Sequence, residues 1–348
     1  MRKMFFLFLF VSTTVWVTAQ NEFEKVFQDD GKSLRKDLRI EVKDSRNNHT
    51  FLPISIMKGK MKGPVFTIVA GVHGYEYPPI IATQQLMREI DANRLNGTLI
   101  FIPLANTSSF YTRTPFINPQ DQINLNNAFP GKSDGTVTQK LAHFITTNII
   151  PVSDVFLDIH GGDASEDLIP FICYYNNETY PEKTRRAKVL SELSGFEYVV
   201  SYAYTLEAHD PAKYAFKQAC KDGKVALSIE SGKLGNVQKE AVALIKRGVY
   251  NMLREMKMYD TPVPADIPDE IIQLNNQKYI DASKSGLFYS EYKAGDRVKK
   301  GDVVGKITDE FGNSISELVA PVSGLILYKI GTPPVNVDDT IMCISFQD

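Results

Sequence analysis

Three short apolar runs, each ending abruptly in a residue able to hold a metal or move a proton, constrain this chain more than any other feature. Residues 65–70 (VFTIVA), 154–159 (DVFLDI) and 225–229 (VALSI) carry the near-continuous hydrophobicity of strands covered on both faces. They stop at Gly71-Val72-His73-Gly74-Tyr75-Glu76, at His160-Gly161-Gly162 and at Glu230-Ser231-Gly232. Further strands are predicted at 97–103 (GTLIFIP), 171–175 and 198–202. Amphipathic stretches lie between them: 78–90, which opens on Pro78-Pro79 as a first helical turn permits, then 136–148, about 181–194, about 211–221 and 237–258. Alternation of this kind predicts an α/β fold with a mainly parallel, mixed sheet and helices on both faces.

The pattern changes at Asp260. Residues 261–268 hold three prolines and no periodicity, which is linker chemistry. Beyond them come short β runs punctuated by glycines from Gly286 to Gly331, the mark of a small β-sandwich or barrel. The expected division is a catalytic domain over 20–259, a linker over 260–275 and a small, lipoyl-like all-β domain over 276–348. Met256-Lys257-Met258 imitates a biotin-accepting lysine turn, but it stands at a helix end and not in a hairpin of that domain.

The first nineteen residues read as a targeting signal. Arg2 and Lys3 precede a short apolar run, and Val17-Thr18-Ala19 offers a signal peptidase site. The run is shorter than the ~20 residues that span a bilayer. A periplasmic or extracellular protein, with no membrane contact after cleavage, is the expectation. Three cysteines, Cys173, Cys220 and Cys343, do not make a disulfide framework and are expected in the core. With 39 basic against 41 acidic residues and no Lys/Arg block, nucleic acid is not a partner. A small molecule is the expected partner, and a homo-oligomer is left open.

In a parallel sheet, ligands bind in the crevice beyond the carboxyl ends of the strands. His73 and His160 stand at two such ends, and Glu76 follows His73 across a helix start, so the three can converge. Two imidazoles and one carboxylate leave an open position, the usual composition of a catalytic zinc site. One Zn(2+) per chain is the implied cofactor. Asp158, two residues before His160 on the same strand face, is a candidate partner for an imidazole N–H. Glu230, ending a third buried strand, is the candidate general base. The long loop over 106–134 is expected to touch substrate through Arg113, whose permanent charge suits an oxyanion, and through Asn126 and Asn127.

Together and in order, Gly71-Val72-His73-Gly74-Tyr75-Glu76, the Asn-Leu-Asn and Phe-Pro-Gly of residues 106–131, Asp158-Ile159-His160-Gly161 and Ile229-Glu230-Ser231-Gly232 resemble the succinylglutamate desuccinylase/aspartoacylase family. The resemblance covers roughly residues 60–345. It implies a zinc carboxypeptidase-like fold, zinc on His73, Glu76 and His160, Glu230 as catalytic carboxylate, Arg113 at the oxyanion, and Asn126 helping to hold substrate. The family commonly reads Asp-Leu-Asn-Arg where this chain has Asn124-Leu125-Asn126-Asn127. An arginine that normally receives a substrate carboxylate is thus missing, a charged hydrogen bond of about 1.5–3 kcal/mol. The implied reaction is hydrolysis of a small N-acylated amino acid, with a water on the metal as nucleophile. Two rivals stand beside it: a metallocarboxypeptidase or amidase acting on peptides or cell-wall fragments, and a secreted module that binds a metal or ligand without turnover.

Overall fold

The computed structural model describes residues 22–29, 34–261, 263 and 265–347. The targeting signal expected over residues 1–19 falls outside the described residues. A short helix, α1 (residues 22–28), precedes the hairpin of β1 (Leu34–Lys43) and β2 (His49–Lys58). Then follow β3 (Met61–Ala70), α2 (Tyr77–Glu89), β4 (Asn96–Ile102) and α3 (Thr107–Thr112). A two-residue hairpin, β5 (Ile117–Asn118) and β6 (Ile123–Asn124), leads to α4 (Val137–Phe144), β7 (Val155–His160) and β8 (Glu166–Leu168). The large unit closes with β9 (Phe171–Asn176), α5 (Pro181–Glu192), β10 (Tyr198–Ala203), α6 (Ala215–Lys221), β11 (Val225–Glu230), α7 (Lys239–Glu255) and β12 (Ile272–Leu274).

Nine of these strands form one sheet in the order β1-β2-β4-β3-β7-β11-β9-β10-β12. The pairs β4/β3, β3/β7, β7/β11, β9/β10 and β10/β12 run parallel, whereas β1/β2, β2/β4 and β11/β9 run antiparallel. Side-chain alternation divides the core cleanly. Phe66, Ile68, Leu157, Ile159, Leu227 and Ile229 pack under α2, α5 and α7, while Val69, Phe156 and Ala226 pack with α1, α4 and α6 on the other face. Each such large apolar side chain contributes roughly 1.5–3 kcal/mol on burial. The outermost strand, β1, alternates apolar with charged residues, and its Arg39–Glu41 pair lies on the exposed side, as a protected sheet edge requires.

Local detail departs from the sequence reading at short elements. The stretch 106–134 holds α3, the β5–β6 hairpin and a 3-10 turn at Leu125–Asn127, all too brief for periodicity to reveal. α4 begins at a capping box between Thr136 and Gln139 and passes into a π turn over Ile145–Ile149. Within 260–275, β12 pairs with β10 and completes the large sheet. The cysteines are free and buried.

The C-terminal unit stacks two sheets. One is β13 (Asn276–Asp281), β20 (Thr340–Phe346), β18 (Gly324–Ile330) and β15 (Arg297–Val298), and β8 of the large unit joins it against β18. The other is β17 (Ser314–Val319), β16 (Val303–Thr308), β14 (Gly286–Tyr289) and β19 (Pro334–Val335). Ile326, Ile341 and Ile344 fill the space between the sheets, while Leu325, Leu327 and Cys343 face the other way into the core of the large unit. The first sheet is therefore covered on both sides, and the two units share apolar surface.

Candidate active site

Register builds the site. In the parallel β7/β11 pair, His160 lies opposite Glu230 and Asp158 opposite Ser228. These four share the sheet face that carries Phe156 and Ala226 deeper in, so period-2 alternation turns them all to one side. β9, antiparallel to β11, sets Phe171 against Glu230 and Cys173 against Ser228 on the same face. His73 arrives from the neighbouring strand end. After β3 the chain turns at Gly71, whose φ of +67° is in the left-handed region, where a Cβ would also lie 2.8 Å from Leu104 Cδ1. Glu76 then stands at the N-cap position of α2, its side chain turned to the histidines and not to the helix N–H groups.

The ligand atoms of His73, Glu76 and His160 all lie within 4.8 Å of one another. The His73 Nδ1 is 2.5 Å from Glu76 Oε1, and the His160 Nδ1 is 3.1 Å from Oε2. The outward nitrogens have partners of their own. Asn124 Oδ1 lies 3.1 Å from His73 Nε2, and Asp158 Oδ2 lies 3.2 Å from His160 Nε2. The Asp158 contact is off the axis of a good hydrogen bond, and both its buried oxygens lack a well-aligned donor. Acceptors facing Nε2 favour the tautomer that leaves a lone pair on Nδ1, and both Nδ1 atoms point at one spot with a carboxylate. That donor set fits a divalent cation of the zinc type.

The electrostatics agree. Burial works against charge on Glu76, yet the imidazoles of His73 and His160 outweigh it and hold the carboxyl at about 2. Burial likewise opposes a charged His160, but the carboxylates of Asp158 and Glu76 hold its pKa well above the ordinary imidazole range. Burial, opposed by His160 and aided by Glu76 and Asp158, pushes Glu230 up to about 8. Glu166 is raised well above the carboxylate range by burial first and then by Glu230, Asp163 and Glu76. Negative groups thus crowd this end of the sheet, which a bound cation would relieve.

Residues 62–256 match the succinylglutamate desuccinylase/aspartoacylase catalytic domain. The chain belongs to the succinylglutamate desuccinylase/aspartoacylase family. It is 30% identical over 318 residues to an N-alpha-acetyl-L-2,4-diaminobutyric acid deacetylase of Halomonas elongata, across 88% of this chain and 89% of that one. Its fold is similar to that of a succinylglutamate desuccinylase/aspartoacylase from Rhodobacter sphaeroides, with a TM-score of 0.81 and 25% identity over 92% of this chain and 97% of that one. It also matches the fold of the product-bound ectoine utilization protein EutE of Ruegeria pomeroyi, with a TM-score of 0.80 and 23% identity over 91% and 97% of the two chains.

Within this family fold the metal group opens into a cleft of about 550 Å3. His73, Glu76, His160 and Glu230 line it, and Asn126 joins them with a buried side-chain Oδ1 that has no hydrogen-bond partner among the described residues. Arg113 and Asn127 are outside that group. Arg113 is exposed, in left-handed conformation at the end of α3, and Asn127 is exposed on the 3-10 turn, so neither side chain lines the cleft. The 3-10 turn explains the split: it sends Asn126 inward and its neighbour outward. Sequence reasoning missed most of the far wall. Glu166 of β8, Lys217 of α6, Tyr175 and Tyr202 of the large sheet, and Tyr279 and Tyr328 of the C-terminal unit all face the cleft. Only Glu166 carried a hint, standing six residues beyond the strand end at His160.

Proposed function

We propose that this chain is a zinc-dependent deacylase that hydrolyses the amide bond of a small N-acylated amino acid. The observation that carries the reading is the in-register opposition of Glu230 and His160 on adjacent strands, beside His73 and Glu76, at the mouth of one cleft. The deacetylase name of the Halomonas elongata relative supports the reaction type. The size of the cleft supports a small substrate, since about 550 Å3 is within the range of small-molecule sites and the C-terminal unit walls one side.

His73, Glu76 and His160 would hold the zinc, with Asn124 and Asp158 orienting the two rings. A zinc ion there would supply Lewis acidity, making a water easier to deprotonate and an amide oxygen a better electron acceptor. Glu230 takes a proton from the attacking water and returns it to the leaving amine. Its carboxyl, pushed up to about 8 by its surroundings alone, is ionised near neutrality once positive charge is added beside it. Asn126 Oδ1, which no donor among the described residues satisfies, accepts an N–H of the substrate. The test is a screen of N-acetyl and N-succinyl amino acids against short peptides, with zinc-loaded and chelator-stripped protein. The expected outcome is chelator-sensitive release of amino acid from the small substrates. Cleavage of peptides alone would transfer the site to a carboxypeptidase reading.

We also propose that the protein works outside the cytoplasm after cleavage behind Ala19. N-terminal sequencing of protein from its native host should begin at Gln20; an intact Met1 would sink this.

A further inference from the structure

The two imidazoles of the metal group are backed by unlike partners. Behind His160 stands a carboxylate, with Asp158 Oδ2 3.2 Å from Nε2. Behind His73 stands a neutral amide, with Asn124 Oδ1 3.1 Å from Nε2. A second contact fixes which amide atom this is. The Asn126 N–H donates to it at 2.8 Å, and of the two amide atoms only the oxygen accepts. Asn124 Oδ1 therefore obliges His73 Nε2 to be the donor and leaves the Nδ1 lone pair to the metal position. The same side chain caps the 3-10 turn Leu125–Asn127, so the turn that aims Asn126 into the cleft also holds this acceptor in place. Asn124 stands where the family motif commonly carries aspartate.

An amide and a carboxylate at this position fill the same space and accept the same N–H groups, but they differ in charge. A carboxylate that takes an imidazole N–H makes the opposite nitrogen a stronger electron-pair donor and adds negative charge behind the ligand. An amide does the first weakly and the second not at all. His73 is also the more accessible ring, with 14% of its side chain exposed against 5% for His160. We propose that Asn124 tunes metal affinity: its neutral amide makes His73 the weaker arm of the site, so this chain holds zinc less tightly than it would with aspartate there. Asn124 is a positioning residue that acts through His73. The inference rests on the zinc reading above and deepens it.

The test measures zinc affinity of the full chain near neutrality, by competition with a chromophoric chelator, and needs no substrate. Asn124→Asp keeps the shape and the turn cap and should tighten zinc about tenfold. Asn124→Leu deletes the acceptor and should weaken zinc about 10–100-fold. Asn124→Ser, which still caps the turn but is one atom shorter, should lose affinity in the same direction and separates the ring contact from the cap. Nitrogen-15 NMR of the zinc-loaded protein should show His73 protonated on Nε2, with that proton moved downfield in Asn124→Asp as its hydrogen bond becomes charge-assisted. A residue that served only the turn would leave zinc affinity in Asn124→Asp at the wild-type value, and that result would overturn the proposal. So would weaker zinc in Asn124→Asp, wild-type affinity in both Asn124→Leu and Asn124→Ser, or a His73 protonated on Nδ1. Each of these leaves zinc binding itself standing. A wild type that binds no zinc would instead remove the metal reading and this proposal with it.

Discussion

Glu230 and His160 face each other across two strands, and their pKa values are displaced upward for different reasons. Burial is the main cause at Glu230; at His160 two carboxylates override burial. Glu230→Gln, which removes the proposed proton acceptor while keeping its shape, should cost about 10²–10⁴ in kcat. Zinc content of Glu230→Gln, measured by atomic absorption, should stay at the wild-type level, because the ligand set is intact. The histidine gives a pH prediction. Against the opposing effect of burial, Asp158 and Glu76 hold the His160 pKa well above the ordinary imidazole range, so a zinc ion at Nδ1 would compete with a proton there. Apparent zinc affinity should therefore rise with pH from about 6 to about 8, the region above the ordinary imidazole pKa. Titration calorimetry in buffers of different ionisation enthalpy should detect proton release on binding. A flat affinity over that range would contradict the assignment of His160 as a ligand.

The strand ends, as elements, depend on close backbone approach. A Cβ on Gly161 would lie 2.5 Å from Ser231 O, so the loops that follow His160 and Glu230 pack main chain against main chain. Ser231 N also donates to His160 O at 2.9 Å, and Gly162 N to Gly232 O at 2.8 Å. Gly161→Ala cannot be accommodated by moving a flexible side chain, because the obstacle is a carbonyl. It should destabilise the protein by about 1–3 kcal/mol and spread the metal group. Chemical denaturation, with zinc affinity in parallel, checks both effects; wild-type affinity in Gly161→Ala would show that the two loops are not coupled. The aromatic wall belongs to this scale too, since Tyr175, stacked 4.9 Å from Phe216, couples β9 to α6 and so sets where Lys217 stands.

For the whole molecule, the important fact is that β8 of the large unit is a strand of the C-terminal sheet, and Leu325, Leu327 and Cys343 complete the large core. Tyr279 and Tyr328 then bring the C-terminal unit to the cleft itself. Two units that share a core and a sheet should unfold together. A single calorimetric transition is expected for the full chain. Truncation before residue 276 should abolish both cooperative unfolding and turnover. Two separate transitions, or an active fragment, would mean that the C-terminal unit is an independent appendage. No helix among the described residues is long and apolar enough to cross a membrane.

What the sequence determined by itself was whatever depends on local pattern. The buried runs, their abrupt ends at His73, His160 and Glu230, and the helices between them follow from hydrophobic periodicity and from glycines beside reactive side chains. In a parallel sheet those ends must lie at one edge, so the meeting of His73, Glu76 and His160 was legible as soon as the fold class was. Asn126 came with the motif. Which face of each strand turns to the cleft, however, is set by register, and register is a relation between strands distant in sequence. The tertiary structure alone decided that Arg113 and Asn127 lie outside the cleft, that β12 closes the large sheet, and that Glu166, Lys217 and tyrosines from both units form the far wall. Those residues have ordinary neighbours in the chain and acquire meaning only where β8, α6 and the C-terminal sheet meet.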